Sequence, residues 1–321
     1  MEMLAPFGVQ PEISLRPWGF RDLRPWYDLV AEGDPIGEVW LTGDNCRVAT
    51  GPHAGMRLAA LFQEKHLALL GARAAEPNSP LLIKTIFARE KLSVQVHPDD
   101  AMARKYGNTR GKTECWYVLA AESGAKVAVG VKAGTTLAQI EKEIHAGTLE
   151  ASLNLVPVEE GEMVFVDAGT IHAIWPGSIL LETQQNCDVT YRMFDYGRPR
   201  ELHIAKSLEA TKLTTRAGKI APRRLDDRFV LIDVEYFRVE RLPVQNSRTS
   251  ASLRGDGLPG LAYLFAASGA ARLAGPEFEP VELTARGIIA VPAHSPEFVL
   301  EDASRPGERL DLIRITPNWP D

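Results

Sequence analysis

Short runs rich in Val, Ile, Phe and Tyr, broken by Gly, Pro, Asp and Asn, recur along most of the chain, and helical periodicity is scarce. A parallel α/β sheet would alternate its strands with helical patterns of about 10–15 residues, which are missing, so the pattern predicts a mainly β sandwich or barrel. Only three segments carry a helix signature: Gly55–Leu70, Thr136–Ala146, where Thr135 or Thr136 can serve as N-cap, and Glu201–Thr211. The polar, basic stretch Arg216–Asp227, with Pro222 inside it, reads as a linker, and only strand-like runs follow it. The expected division is residues 1–218, a barrel with helical segments, and residues 219–321, a second all-β barrel. A faint internal repeat supports it. Gly161–Ile174 resembles Arg286–Leu300 when Val166 is aligned with Val291, each reading strand, small-residue turn, strand. In that register His172 falls opposite Glu297, so the second unit would not repeat the histidine.

With 45% hydrophobic and 24% charged residues the composition is that of an ordinary globular protein. Net charge is −6 with no clustered basic run, which argues against a nucleic-acid partner. No apolar run approaches the roughly 20 residues of a membrane helix, and the opening MEMLAPFGVQPE lacks the basic-then-apolar pattern of a signal peptide. Three cysteines, Cys46, Cys115 and Cys187, with no CxxC pair, argue against a disulfide framework and for a cytoplasmic setting.

One strand poses a problem. In LSVQVHPDD, Leu92–Asp100, Val94 and Val96 read as core residues, packing outward between sheets, and Ser93, Gln95 and His97 alternate onto the other face. Gln95 and His97 lie about 6–7 Å apart along the strand. Glu114 in GKTECWYVL shares a face with Trp116 and Val118, and His172 in DAGTIHAI opens a strand after a glycine turn. Two imidazoles, a carboxylate and an amide oxygen suit Zn²⁺ or a similar divalent ion with a position left open. Each residue also has a bland reading. A lone strand histidine is more often a surface or satisfied core residue than a ligand, Glu114 alone reads as solvated, and Gln95 alone carries no weight. Only convergence lifts them, and spacing does not establish it.

SVQVHPDD, GKTECWYVL, AGTIHAI and ETQQNCDVTYRMFDYGR, in this order, resemble the type I mannose-6-phosphate isomerases, and most closely their short bacterial form. Weaker similarity in RPWG (Arg16–Gly19) and GEVWLTGD (Gly37–Asp44) extends the resemblance over most of Arg16–Thr211. It implies two cupin-type barrels, the first catalytic and the second without a metal site. It implies one Zn²⁺ per chain on Gln95, His97, Glu114 and His172. Arg192 would be the active-site arginine, Lys112 and Glu182 further catalytic groups, and Lys84, Ser93 and Asp188 substrate contacts, with Lys84 and Ser93 toward the phosphate. Two departures, Cys187 where serine is common and Asp167 where proline is common, remove no implied ligand. The implied reaction interconverts mannose 6-phosphate and fructose 6-phosphate through a cis-enediol, with Glu182 ranked first as base, a metal-bound hydroxide second, and Lys112 third. The implied partner is a small sugar phosphate, with neither nucleic acid nor membrane, on a monomer or weak homodimer. Bland readings stand beside these: Arg192 can pair with Asp188 or Asp195, Lys112 can be a solvated turn residue, and Glu182 can cap a strand. Two rival functions remain, a cupin isomerase acting on glucose 6-phosphate and a non-catalytic sugar-binding cupin.

Overall fold

The computed structural model describes residues 2–71, 76–244, 247–254 and 260–318. Among the described residues strands dominate, as the run pattern predicts, and they form sheets of seven, five, eight and four strands. Apolar cores separate the sheets. One core lies between the five- and seven-stranded sheets, with Trp116, Val118, Val164 and Leu180 facing Val127, Val129 and Ile174. A second lies between the seven- and eight-stranded sheets and takes in the Leu58–Leu70 helix. A third lies between the eight- and four-stranded sheets.

The middle sheets are therefore buried on both faces, and the sequence of the Leu81–Ala88 strand shows why. All its positions are buried. Leu81, Ile83 and Phe87 enter the central core, and Ile86 and Ala88 alternate into the core facing the five-stranded sheet. Lys84 falls on that second, inner face.

The helices hold near their expected places, at Leu58–Leu70, Leu137–Ala146 and Ile204–Ala210. Thr136 is the N-cap of the second, its hydroxyl accepting from Gln139 N at 3.2 Å. A further helix, Asp100–Lys105, is too short to show periodicity, and Asp99 caps it.

Two expectations are revised. Val94 and Val96 do not pack between sheets. They point outward from the five-stranded sheet into a fourth core beneath the helices, with Ile140, Ile144 and Ala210. The supposed linker Arg216–Asp227 contains two strands. Gly218–Ile220 pairs with Met163–Phe165 at the edge of the seven-stranded sheet, and Arg223–Leu225 pairs with Arg228–Val230. Edge strands commonly carry charged side chains, so this polar composition belongs to a sheet margin. At the chain's start Phe7–Gly8 pair with Ile289–Ala290 in the eight-stranded sheet.

The repeat has a structural counterpart. Val166 and Val291 each close a strand, and Glu297, opposite His172, is exposed. Where the first sheet pair carries its polar site, the second carries a buried ion pair. Glu240 and Arg314 are directly opposite on neighbouring strands, 0% and 2% exposed, with Arg314 Nε donating to Glu240 Oε2 at 2.8 Å. Glu240→Ala would remove the buried carboxylate that Arg314 shares with Arg228, so it should destabilise the fold by about 3–5 kcal/mol. Denaturant unfolding measures this, and a loss below about 1 kcal/mol would show that water reaches the pair.

Candidate metal centre and substrate cavity

Strand register assembles the site from two facing sheets. On the five-stranded sheet Gln95 lies opposite His172 on one neighbour and opposite Arg192 on the other. On the seven-stranded sheet Glu182 lies opposite Lys84 on one side and Trp116 on the other. Glu114, two residues from Trp116, shares its face. His97 follows immediately after the strand Val94–Val96, and Pro98 has no N–H with which to continue the ladder. The His172 strand enters through a turn at Gly169, whose φ of 92° is open to glycine at little cost. Gly169 N donates to His97 O at 2.9 Å, tying the two histidine segments together.

Both imidazoles are fixed from behind. His97 Nδ1 lies 2.9 Å from Val189 O and His172 Nδ1 lies 2.9 Å from Thr170 O. A carbonyl oxygen only accepts, so both Nδ1 atoms carry the proton and both Nε2 atoms turn a lone pair inward. Burial, then the nearby Lys112, holds His97 well below the ordinary imidazole range, and burial brings His172 down to about 4. Neutral imidazoles are the form that ligates a metal. Glu114 completes the group. Its Oε2 is 3.5 Å from His97 Nε2 and its Oε1 is 3.4 Å from His172 Nε2. Burial and then Glu182 push its carboxyl up to about 8, with Lys112 opposing.

These donor atoms lie within 4.8 Å of one another, and all three side chains are buried. Facing lone pairs in a buried space repel unless a cation lies between them, and among the described residues Glu114 Oε1 has no hydrogen-bond partner. The residues therefore fit a divalent ion. Cationic character is already present: Lys112 Nζ contacts Glu114 Oε2 and donates to His97 Nε2 at 3.2 Å. Gln95 presents its amide nitrogen, 3.2 Å from His172 Nε2, while its oxygen accepts from Ser93 Oγ at 3.4 Å. To ligate, that amide must turn over and exchange its ends.

From this centre a line of alternating charges crosses the inner face of the seven-stranded sheet. Lys112 lies 3.5 Å from Glu182 Oε1, and Lys84 lies 2.8 Å from Glu182 Oε2. Lys84 reaches Glu38 Oε1 at 3.5 Å, and Arg16 reaches Glu38 Oε2 at 3.3 Å. Burial alone would raise the Glu182 carboxyl, but Lys112 and Lys84 outweigh it and hold the group well below the ordinary range. Lys84 is held above its ordinary value by Glu182 and Glu38 against its own burial. Trp116 Nε1 donates to Glu182 Oε1 at 3.1 Å.

A cavity of about 420 Å³ opens onto this row. Its walls include Gln95, Lys112, Glu182, Arg192, Lys84, Ser93 and Asp188, all of them expected site residues, and His97, Glu114 and His172 lie buried behind. Five cations (Arg16, Lys84, Lys112, Arg192, Arg200) face three carboxylates (Glu38, Glu182, Asp188) there, in a chain of net charge −6. Among the wall residues alone cations exceed carboxylates, with Glu114 and Asp195 behind as partners of Lys112 and Arg200, an arrangement that suits an anion.

The family described as phosphomannose isomerase type I, catalytic domain, matches residues 21–140. A mannose-6-phosphate isomerase of Streptococcus mutans is 33% identical over 259 residues, covering 76% of this chain and 81% of that protein. The mannose-6-phosphate isomerase ManA of Bacillus subtilis is 34% identical over 264 residues, 78% and 82% of the two chains. The chain belongs to the type I mannose-6-phosphate isomerase family. A crystal structure of the mannose 6-phosphate isomerase from Bacillus subtilis superposes with a TM-score of 0.84 at 27% identity, covering 97% of this chain and 99% of that one. The fold is the cupin fold of these isomerases.

Within this type I isomerase, sequence reasoning missed Glu38, Arg16, Trp18, Thr190 and Arg200 as cavity residues. Arg16, Trp18 and Glu38 do lie in RPWG and GEVWLTGD, so the weaker similarity was their signal. Thr190 lies in ETQQNCDVTYRMFDYGR, but Arg200 had no signal, because it falls beyond that motif in the loop after the Tyr191–Phe194 strand.

Proposed function

We propose that this type I isomerase interconverts mannose 6-phosphate and fructose 6-phosphate with one zinc ion per chain on His97, Glu114, His172 and Gln95. The buried convergence of two neutral imidazoles and a carboxylate, at the floor of a cation-rich cavity, carries this reading. Mixed nitrogen and oxygen donors suit zinc. A divalent cation there supplies Lewis-acid stabilisation of the negative charge that develops on the sugar oxygens.

The protein's own groups do the rest. Glu182, kept ionised by Lys112 and Lys84, takes the proton from C2 of the open-chain aldose. The electron pair moves into the C1–C2 bond, the carbonyl pair moves onto O1, and protonation of O1 gives the cis-enediol. Loss of the O2 proton and return of the carbon-bound proton to C1 leave the carbonyl at C2. The same two lysines make Glu182 a weak base, so much of the barrier lowering must come from stabilising the enediolate. Lys112 Nζ is placed to donate to a sugar oxygen, and Arg192, on the strand beside Gln95, adds a permanent positive charge. The proposed setting is the cytoplasm, where Cys46, Cys115 and Cys187 stay as free thiols.

The complete reactive set on one cavity disfavours a non-catalytic cupin, and the relatives' names favour mannose 6-phosphate over glucose 6-phosphate. Proton NMR of zinc-loaded protein incubated separately with the two aldose phosphates decides between them. Conversion of mannose 6-phosphate to fructose 6-phosphate is expected. Conversion of glucose 6-phosphate alone, or of neither, would overturn the reading.

A further inference from the structure

We propose that Arg16 and Arg200 anchor the substrate's phosphoryl group at the mouth of the cavity, and that Lys84 does not contact it. This rests on the sugar-phosphate reading above and assigns the end of the substrate remote from the metal.

Backbone irregularity aims Arg16. The ladder between Glu12–Phe20 and Ile36–Trp40 runs from Glu12 opposite Trp40 to Leu15 opposite Ile36, then resumes only at Phe20 opposite the same Ile36. Arg16–Gly19 thus bulge out of the sheet, where Pro17 forfeits no ladder bond. Arg16 N donates to Pro35 O at 2.8 Å, pinning the start of the bulge. Gly37 leaves the room: a Cβ there would lie 2.4 Å from Arg16 Cβ and 2.8 Å from the Trp18 ring. The result turns Arg16, Pro17 and Trp18 into the cavity wall.

Arg200 is held from the opposite side of its fork. Its Nε and Nη2 donate to the buried Asp195 at 2.6 and 2.7 Å, leaving Nη1 for a ligand. The carboxylates beside these arginines are shared. Asp195 is shared with Arg198, and Glu38 is shared between Arg16 and Lys84. Among the described residues Arg192 Nη1 donates to the Glu201 carbonyl at 2.9 Å, and its buried Nε has no hydrogen-bond partner. Burial and then the proximity of Arg200 lower the Arg192 pKa, with Arg16 adding to the effect. Three guanidiniums turned to one cavity call for a multiply charged, fork-matching anion. A phosphate monoester, about −1.5 to −2 near neutral pH, has that charge and geometry.

Depth separates these arginines from Lys84. The Arg16 and Arg200 side chains are 31% and 25% exposed, against 5% for Lys84 and 3% for Lys112. Lys84 is committed to Glu182 and Glu38 deep in the charge row. A hexose with C1 and C2 at the floor carries its C6 phosphate outward, toward the arginines.

The test uses methyl phosphate, which binds without turnover, so it reads out even if no aldose phosphate is isomerised. In calorimetric titration of zinc-loaded protein, Arg16→Gln and Arg200→Gln should each weaken methyl phosphate binding by about tenfold or more. They should raise KM for mannose 6-phosphate more than they lower kcat, with zinc content unchanged. Lys84→Gln removes a cation from the same cavity without removing a phosphate contact, so it should weaken methyl phosphate binding less than either arginine change. If a glutamine variant does not fold, Arg16→Lys or Arg200→Lys keeps the charge, loses the fork, and should still weaken binding. Folded arginine variants that bind methyl phosphate within about twofold of wild type, or a loss confined to Lys84→Gln, would overturn the assignment.

Discussion

Alanine at position 97 is expected to cost the protein its zinc and its turnover together. His97 is 1% exposed, and its ring is set by the Val189 carbonyl so that Nε2 faces Glu114. Without it the centre keeps one imidazole and one carboxylate, with a neutral amide as the remaining donor. Disturbing even the partners behind a ligand typically costs 10–100-fold in metal affinity, so removing the ligand should cost more than about 100-fold. Metal analysis after dialysis, beside an isomerase assay, measures both. Retention of one zinc by His97→Ala would show that the ion is held elsewhere.

Glutamine at position 182 is expected to separate binding from chemistry. The substitution keeps the shape and removes the proton acceptor. Glu182 lies opposite Lys84 and Trp116 in the sheet rather than against the histidines, so zinc should stay. Turnover should fall by about 10²–10⁴-fold, the usual contribution of a positioned base. A variant with zinc and near-wild-type kcat would move the base to another group. One that loses zinc would make Glu182 a support for Glu114.

The mainly β fold was legible because period-two alternation and turn residues are local properties. The layering was less so. In Leu81–Ala88 the apolar run hides which residues face which core, since both faces are covered and alternation loses its contrast. Val94 and Val96 read as buried, but what buries them is a pair of helices distant in sequence. In the site, Gln95 and His97 were visible as one strand face. Their convergence with Glu114 and His172 depends on pairings between distant strands, and the resemblance to known isomerases supplied what the spacing did not. Glu38, between Gly37 and Val39, carries no local signal; its side-chain contacts with Lys84 and Arg16 make it a buried member of the charge row. Arg200 is placed by Asp195 in an irregular segment, where neither alternation nor spacing carries a signal.

The most direct test of a metal-dependent isomerase site is a zinc titration of chelator-stripped protein, following the conversion of mannose 6-phosphate to fructose 6-phosphate. Activity should rise from near zero in proportion to added zinc and level off at one ion per chain. Full activity in the stripped protein, or no conversion after one zinc has bound, would contradict it.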